Sequence, residues 1–311
     1  MKKKEKGTQI LINLARYKFL DRLQMKRLGI SNKNAHFTQE INPLIEAKLI
    51  WFETGARHGS GDLYCLTEKG KDKLLRDKSA PFDAINFMKN KPSIEDGSWW
   101  HILNSVWCQI EFDLSVQKKD NLDFKEWFEL YRSKAEFYNR DMDKLGSVKG
   151  GGLTKSTKID LEGGKWFDPD GMFSCNGRLF LFEYEHGTYT KRSMEKILIH
   201  CQSLKLAALG RQLNLKSTKG EWKMHRVLFV YHTHSILKSS IKECNKTLSQ
   251  ALLTTGDWKQ DEIEGLLKGK WFLFKSIEEV KPEINWLSDP IPKDYFDNWL
   301  TLAGDRVMMF S

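Results

Sequence analysis

Apolar residues recur at helical spacing through the first part of the chain and predict three successive helices. Ile10 and Leu14 belong to the stripe of the first helix, Ile41 and Leu44 to that of the third, and Asp21 can cap the second. Two strand-like runs follow around the glycine-rich segment TGARHGSG. The predicted elements are helices at residues 8–19, 21–28 and 33–48, strands at 49–53 and 62–66, and a helix from Thr67. This order predicts a winged helix-turn-helix domain over residues 1–80.

The same eighty residues carry nearly all of the excess positive charge. They contain 17 Lys and Arg against 9 Asp and Glu, whereas residues 81–311 contain 33 against 32. Such a local excess is typical of a surface that meets a polyanion, so double-stranded DNA is the predicted partner. A solubilising surface and a protein-docking module are the alternatives. The candidate DNA contacts are Lys33, Asn34, His36, Thr38 and Gln39 on the third helix, and Arg57 and His58 at the wing tip.

Residues 81–98 contain two prolines and little periodicity, which predicts a linker. The pattern beyond it predicts a second domain over residues 99–311 with the order αββαβαβ, a mixed α/β sheet with helices on its faces. The continuous apolar run at residues 227–231 indicates a central strand that is buried on both faces. The sequence does not indicate a role for residues 233–311.

One hairpin of this domain, FDPDGMFSCNGRLFLFEYEHG, carries four carboxylates. Its Asn176-Gly177 pair favours a two-residue turn, because both positions require positive φ. With this turn, Cys175 faces Arg178, and the residue numbers of every facing pair add up to 353. Asp170 then lies across from Glu183, and Asp168 lies across from Glu185. Like charges that face each other destabilise a sheet, and a bound divalent cation is the simplest compensation.

Carboxylates that hold Mg²⁺ or Mn²⁺ can support phosphodiester cleavage. We expect Asp170 and Glu183 to be metal ligands and Glu185 to be a third ligand or a base. Glu111 is either a further ligand or a surface glutamate. Lys196 is either a phosphate contact or a solvated lysine. The alternative for the hairpin is that Asp170 lies past the end of the pairing and that the glutamates emerge into solvent at a sheet edge.

The motifs PD at Pro169-Asp170 and ExE at Glu183 and Glu185, followed by a helix, resemble the PD-(D/E)XK nuclease core. The usual lysine of that core is replaced here by Glu185, and Lys191 or Lys196 on the next helix could serve instead. Together with the winged helix, WWHILN, PDGMF, FLFEYEHGT and RVLFV, the chain resembles the replication-relaxation family over residues 8–232, which includes the MobC-class relaxases of mobilisable plasmids.

This resemblance implies metal-dependent nicking of DNA at a plasmid transfer or replication origin, with relaxosome or replication proteins as further partners. The alternative is a non-catalytic DNA-binding accessory or initiator protein with a degenerate nuclease fold. Tyr184 and Tyr189 are considered as relaxase-type nucleophiles, with Tyr184 more typical of core packing. His232 and His234, which alternate in YHTH, are either metal ligands or ordinary polar residues at a strand end.

Hydropathy and the distribution of cysteines bear on whether the protein spans a membrane, binds zinc or contains disulfides. No apolar run approaches the roughly 18 residues that a membrane-spanning helix needs. The five cysteines are scattered and form no CxxC pair, so the sequence offers no zinc cage. Reduced thiols of this kind are typical of a cytoplasmic protein.

Overall fold

The computed structural model describes residues 3–30, 34–54, 62–79, 85–91, 96–117, 124–125, 159–161, 163, 165–175, 178–187, 190–206, 208, 225–281 and 298–309. These residues divide into two compact units, one that ends at Ile110 and one that begins at Glu111. The chain is a mixed α/β protein.

The first unit combines helices with a small antiparallel sheet, whose strand order is β1-β3-β2. Its elements are α1 (Lys3–Tyr17), β1 (Phe19–Asp21), α2 (Arg22–Arg27), α3 (Asn34–Glu46), β2 (Ile50–Thr54), β3 (Asp62–Leu66), α4 (Glu68–Arg76) and the first part of α5 (Asp96–Gln117). Asp21 caps α2 as predicted, because its carboxylate accepts the N–H of Gln24 at 2.7 Å. Pro43 lies inside an unbroken α3.

The predicted linker differs from the structure, since residues 85–91 pack onto the first unit. Asn86 is buried, and its side-chain amide donates to the carbonyls of Ala15 and Arg16, at 2.7 Å each. Beyond the linker, Leu103 of α5 joins a core cluster with Phe19 and other buried residues. The unit therefore reaches Ile110 instead of ending near residue 80, because the apolar side of α5 begins inside this core.

The second unit is built on a mixed sheet, as the sequence predicts. Among the described residues it has seven strands in the order β12-β11-β10-β9-β8-β7-β4, of which β8, β9 and β10 are parallel. The elements are β4 (Phe124–Lys125), β5 (Ile159–Asp160), β6 (Trp166–Phe167), β7 (Gly171–Cys175), β8 (Arg178–Glu185), α6 (Thr190–Lys205), β9 (His225–Tyr231), α7 (His234–Thr255), α8 (Gln260–Lys268), β10 (Phe272–Ser276), a 3₁₀ turn (Ile277–Glu279), β11 (Asn298–Leu300) and β12 (Arg306–Met308).

The two faces of this sheet carry different layers. Every residue of β9 is buried, which confirms the prediction of a central strand from its apolar run. On one face, Phe112 of α5 packs on Phe173, and Phe173 stacks on Phe180, with ring centroids 4.0 and 4.9 Å apart. On the other face, α6 packs across β8 and β9, where His200 meets the ring of Phe229. This second layer contains the acidic residues of the hairpin.

The thiols whose burial the structure describes lie in the interior: Cys65, Cys108, Cys201 and Cys244. Burial raises the pKa of Cys65 and of Cys244 to about 12, so both stay protonated at neutral pH. Within the described ranges, the chain contains no helix with the length and apolarity to cross a membrane.

Candidate functional site

The hairpin of β7 and β8 has the predicted register. Cys175 pairs with Arg178, and Gly171 pairs with Phe182, so paired positions sum to 353. Asp170 comes directly before the first paired residue, and its Oδ2 accepts the backbone N–H of Tyr184 at 2.8 Å. This bond ties the Asp170 carboxylate to β8 beside the glutamates, although Asp170 itself lies outside the strand.

Glu183 and Glu185 occupy the end of β8, and both are buried, with exposed fractions of 2% and 4%. Alternation along the strand places both on the face that α6 covers. The alternative in which these glutamates emerge into solvent is therefore wrong. Two carboxylates in a buried position require strong compensation, because burial disfavours their charged form.

Lys196 of α6 supplies that compensation in this structure. Its Nζ lies 2.9 Å from Glu183 Oε2 and 2.5 Å from Glu185 Oε1. Burial lowers the pKa of the Lys196 ammonium, but the charges of Glu183, Glu185 and Asp170 outweigh it and raise that pKa above its ordinary value. Lys196 is therefore not an ordinary solvated lysine, and it joins three of the predicted site residues in one cluster.

His200 is a further member of this cluster that the sequence reading missed. Its Nε2 lies 2.9 Å from Glu183 Oε1, and its side chain is 1% exposed. His200 follows Lys196 by one helical turn, so both point to the same side of α6. That spacing, in a helix whose apolar stripe faces a sheet with buried acids, is the signal that could have identified it.

Two other acids of the prediction occupy different surroundings. Asp168 is exposed and follows β6, which pairs with β5 and not with β8, so the register does not extend to a pair with Glu185. Glu111 is buried on α5, with 3% exposure, and its interpretation as a surface glutamate is wrong. The neighbouring Phe112 contacts the Phe173 ring, so this end of α5 lies against the sheet.

Asp170, Glu183 and Glu185 offer carboxylate oxygens, which are the ligands that Mg²⁺ and Mn²⁺ prefer. As the side chains stand, no group of three His, Cys, Asp or Glu residues in the described part of the chain has the geometry to hold a metal ion. The Lys196 ammonium instead contacts two of these carboxylates. The donor chemistry fits a hard cation, and binding would require Lys196 to withdraw from at least one glutamate.

The candidate DNA contacts are only partly within the described residues. Thr38 and Gln39 are exposed on α3, and Asn34 and His36 lie in the same helix. Lys33, Arg57 and His58 lie outside the described residues. The structure therefore presents two of the seven predicted side chains at the surface of the first unit.

Tyr184 and His232, two of the residues considered as nucleophile or metal ligand, lie near the carboxyl ends of β8 and β9. Tyr184 is buried as core packing predicts, and its hydroxyl lies 2.8 Å from His232 Nδ1. Tyr189 lies outside the described residues. His232 and His234 do not share a strand face, because β9 ends at Tyr231 and Thr233 caps α7 between them.

Comparison of the chain with protein-family models, with curated proteins and with solved structures finds no match. The possible chemistry of the site must therefore be inferred from its side chains. They form a buried acidic pair, a neighbouring aspartate, an ammonium and an imidazole at the end of a parallel strand. Such a cluster can hold a cation or accept protons, and it can release an ammonium toward an anionic ligand.

Proposed function

We propose that the chain is a divalent-metal-dependent DNA endonuclease that nicks duplex DNA at a plasmid or mobile-element origin, as a relaxase-like protein. The observation that carries this proposal is the convergence of Glu183, Glu185 and Asp170 on Lys196. Two glutamates, an aspartate and a lysine can support metal-dependent phosphodiester cleavage, and the three acids come from the motifs that resemble the PD-(D/E)XK core.

The chemistry of hydrolysis explains this composition. Water attacks the phosphorus in line with the leaving oxygen, and negative charge increases on the phosphoryl oxygens as the bond breaks. A site must therefore provide positive charge and accept the proton of the attacking water. When bound, Mg²⁺ or Mn²⁺ supplies Lewis-acid polarisation and a more acidic water.

The residues of this chain divide those tasks. Asp170 and Glu183 would hold the cation. Glu185 would act as a third ligand or would accept the proton of the attacking water. Lys196 would leave the glutamates and donate a charge-assisted hydrogen bond to a phosphoryl oxygen.

In this proposal, the first unit binds the DNA and brings the second unit to its target. Three helices precede β2 and β3, and that order supports a winged helix whose α3 meets the major groove. The exposed Thr38 and Gln39 and the local positive charge support DNA as the partner. Relaxosome or replication proteins would be further partners at the origin.

A second candidate is a non-catalytic DNA-binding accessory or initiator protein. The ion pairs of Lys196 with Glu183 and Glu185 favour it, because they neutralise the buried acids without any metal. In this candidate the cluster serves stability alone. The two candidates make the same prediction for salt-dependent DNA binding and opposite predictions for cleavage.

Conversion of supercoiled plasmid to open circles in Mg²⁺ or Mn²⁺ tests the proposal. We expect nicking by the wild type, none in EDTA, and a loss of at least about a hundredfold in Glu183→Gln. DNA affinity, measured by fluorescence anisotropy, should be unchanged in this variant. The matched control is Glu195→Gln, which alters an exposed glutamate of α6. Equal nicking by the wild type and Glu183→Gln would contradict the proposal.

A further inference from the structure

The two oxygens of the Glu183 carboxylate have different partners on α6. Oε2 lies 2.9 Å from Lys196 Nζ, and Oε1 lies 2.9 Å from His200 Nε2. Because an ionised carboxylate only accepts hydrogen bonds, Nε2 of His200 is the donor. Withdrawal of Lys196 would free Oε2 and leave Oε1 held.

The His200 ring is fixed by its neighbours. It packs edge-on against Phe167, with ring centroids 4.8 Å apart, and edge-on against Phe229 at 5.6 Å. With 1% exposure, the imidazole has little room to rotate away from Glu183. A fixed donor of this kind orients the carboxylate that it contacts, as partners beyond the ligands do in metal sites.

Only one of the two ring nitrogens of His200 has a hydrogen-bond partner among the described residues. Nδ1 is buried and has no hydrogen-bond partner among the described residues. A buried polar atom without a partner destabilises the fold, and an apolar side chain would fill the same space between Phe167 and Phe229 without it. The contact with Glu183 is therefore the feature that distinguishes histidine from leucine here.

We propose that His200 is a positioning residue, which holds Oε1 of Glu183 so that Oε2 stays directed to the cation that replaces the Lys196 ammonium. This inference rests on the proposed metal-dependent function and extends it to a residue that does not itself touch the metal or the substrate. His200 thus acts through Glu183.

Three substitutions of His200 separate positioning from packing. His200→Gln keeps an N–H donor near the place of Nε2, His200→Asn ends its amide short of Glu183, and His200→Leu keeps volume without a donor. The matched control is His225→Leu, which removes an equally buried histidine, with 2% exposure, whose ring lies 6.3 Å from that of His200. The readouts are Mn²⁺ affinity by calorimetry, the nicking rate and the unfolding midpoint, each measured on the full chain.

We expect the leucine and asparagine variants to bind Mn²⁺ roughly tenfold more weakly or worse, with nicking reduced in parallel and DNA affinity unchanged. His200→Gln should recover most of the affinity, and His225→Leu should bind Mn²⁺ as the wild type does. Wild-type Mn²⁺ affinity in His200→Leu would overturn the inference alone. Lower unfolding midpoints without a change in metal affinity would also overturn it. Absence of Mn²⁺ binding by the wild type would overturn the proposed function, and this inference with it.

Discussion

Lys196 and His200 lie one turn apart on α6 and contact opposite oxygens of the Glu183 carboxylate. The helix therefore presents a charged donor and an imidazole donor together to the end of β8. Because α6 packs on the buried strands β8 and β9, its rotation about its own axis is fixed by the core. The acidic cluster and its counter-charges form one layer whose geometry depends on this packing.

Removal of the Lys196 charge should destabilise the protein and make its stability depend on metal. In Lys196→Met, two buried carboxylates lose their counter-charge, which costs on the order of 3 kcal/mol in the free energy of unfolding. A divalent cation can replace the ammonium, so Mn²⁺ should raise the stability of this variant more than that of the wild type. Urea unfolding in EDTA and in Mn²⁺ measures both effects.

The control for this experiment is Lys191→Met, an exposed lysine of the same helix. It should change the free energy of unfolding by less than about 0.5 kcal/mol. Equal stabilisation of Lys196→Met and the wild type by Mn²⁺ would show that the ammonium and the metal do not compete for these glutamates. Nicking should be lost in Lys196→Met and retained in Lys191→Met.

The segment that contains Asn86 should contribute to the stability of the first unit. Asn86→Ala leaves the carbonyls of Ala15 and Arg16 without their donor, and we expect a loss of about 1 to 3 kcal/mol. Asn90→Ala, an exposed asparagine of the same segment, should have almost no effect. Chemical denaturation measures both variants. If Asn86→Ala unfolds like Asn90→Ala, the segment behaves as the linker that composition predicts.

Gln39 should read base edges if α3 enters a major groove. A glutamine that pairs with adenine contributes roughly 1 to 3 kcal/mol of discrimination, so Gln39→Ala should weaken binding to preferred duplexes about tenfold. The probes are duplexes that the wild type enriches from a random library, and binding is followed by anisotropy. Gln250→Ala removes an exposed glutamine of α7 and should bind as the wild type does. The same enriched sequences and affinity with Gln39→Ala would exclude this contact.

His225 should make the protein less stable in mild acid. Burial and the neighbouring His200 lower the pKa of His225 from its ordinary value of 6.5 to about 3. The unfolded chain therefore binds a proton below pH 6.5 that the folded chain refuses until about pH 3. The stability due to neutral His225 is complete above pH 6.5 and is lost as the pH falls toward 3.

We expect this group to remove about 2 kcal/mol of unfolding free energy between pH 7.5 and pH 5. His225→Leu should show a flatter pH dependence by about that amount in urea titrations at the two pH values. Identical slopes for the wild type and His225→Leu would mean that His225 titrates normally.

Sequence patterns predicted those features of the fold that depend on residues close together in the chain. The Asn176-Gly177 pair and the alternation around it gave the register of β7 and β8, since a two-residue turn leaves one pairing. The apolar run of β9 indicated a strand buried on both faces. Asp21 marked the start of α2 because a side-chain oxygen there satisfies an N–H of the first turn.

Features that depend on tertiary packing were missed or left open. The sequence placed Lys196 on a helix but could not show which way that helix faces the sheet, so its ion pairs and the role of His200 stayed hidden. Burial of Glu111 was missed as well. Asn86 is held by the carbonyl of Ala15, which is distant in sequence, so no local pattern indicates its burial. Strands β11 and β12 are three residues each, too short for a periodic pattern.

The position of Mn²⁺ in crystals of the full chain tests the central claim most directly, since manganese can be located by its anomalous scattering. We predict a peak about 2.0 to 2.3 Å from carboxylate oxygens of Asp170 and Glu183, with the Lys196 ammonium displaced from at least one glutamate. A structure in millimolar Mn²⁺ that has no such peak, and in which Lys196 still joins Glu183 to Glu185, would contradict a metal-dependent active site at this cluster.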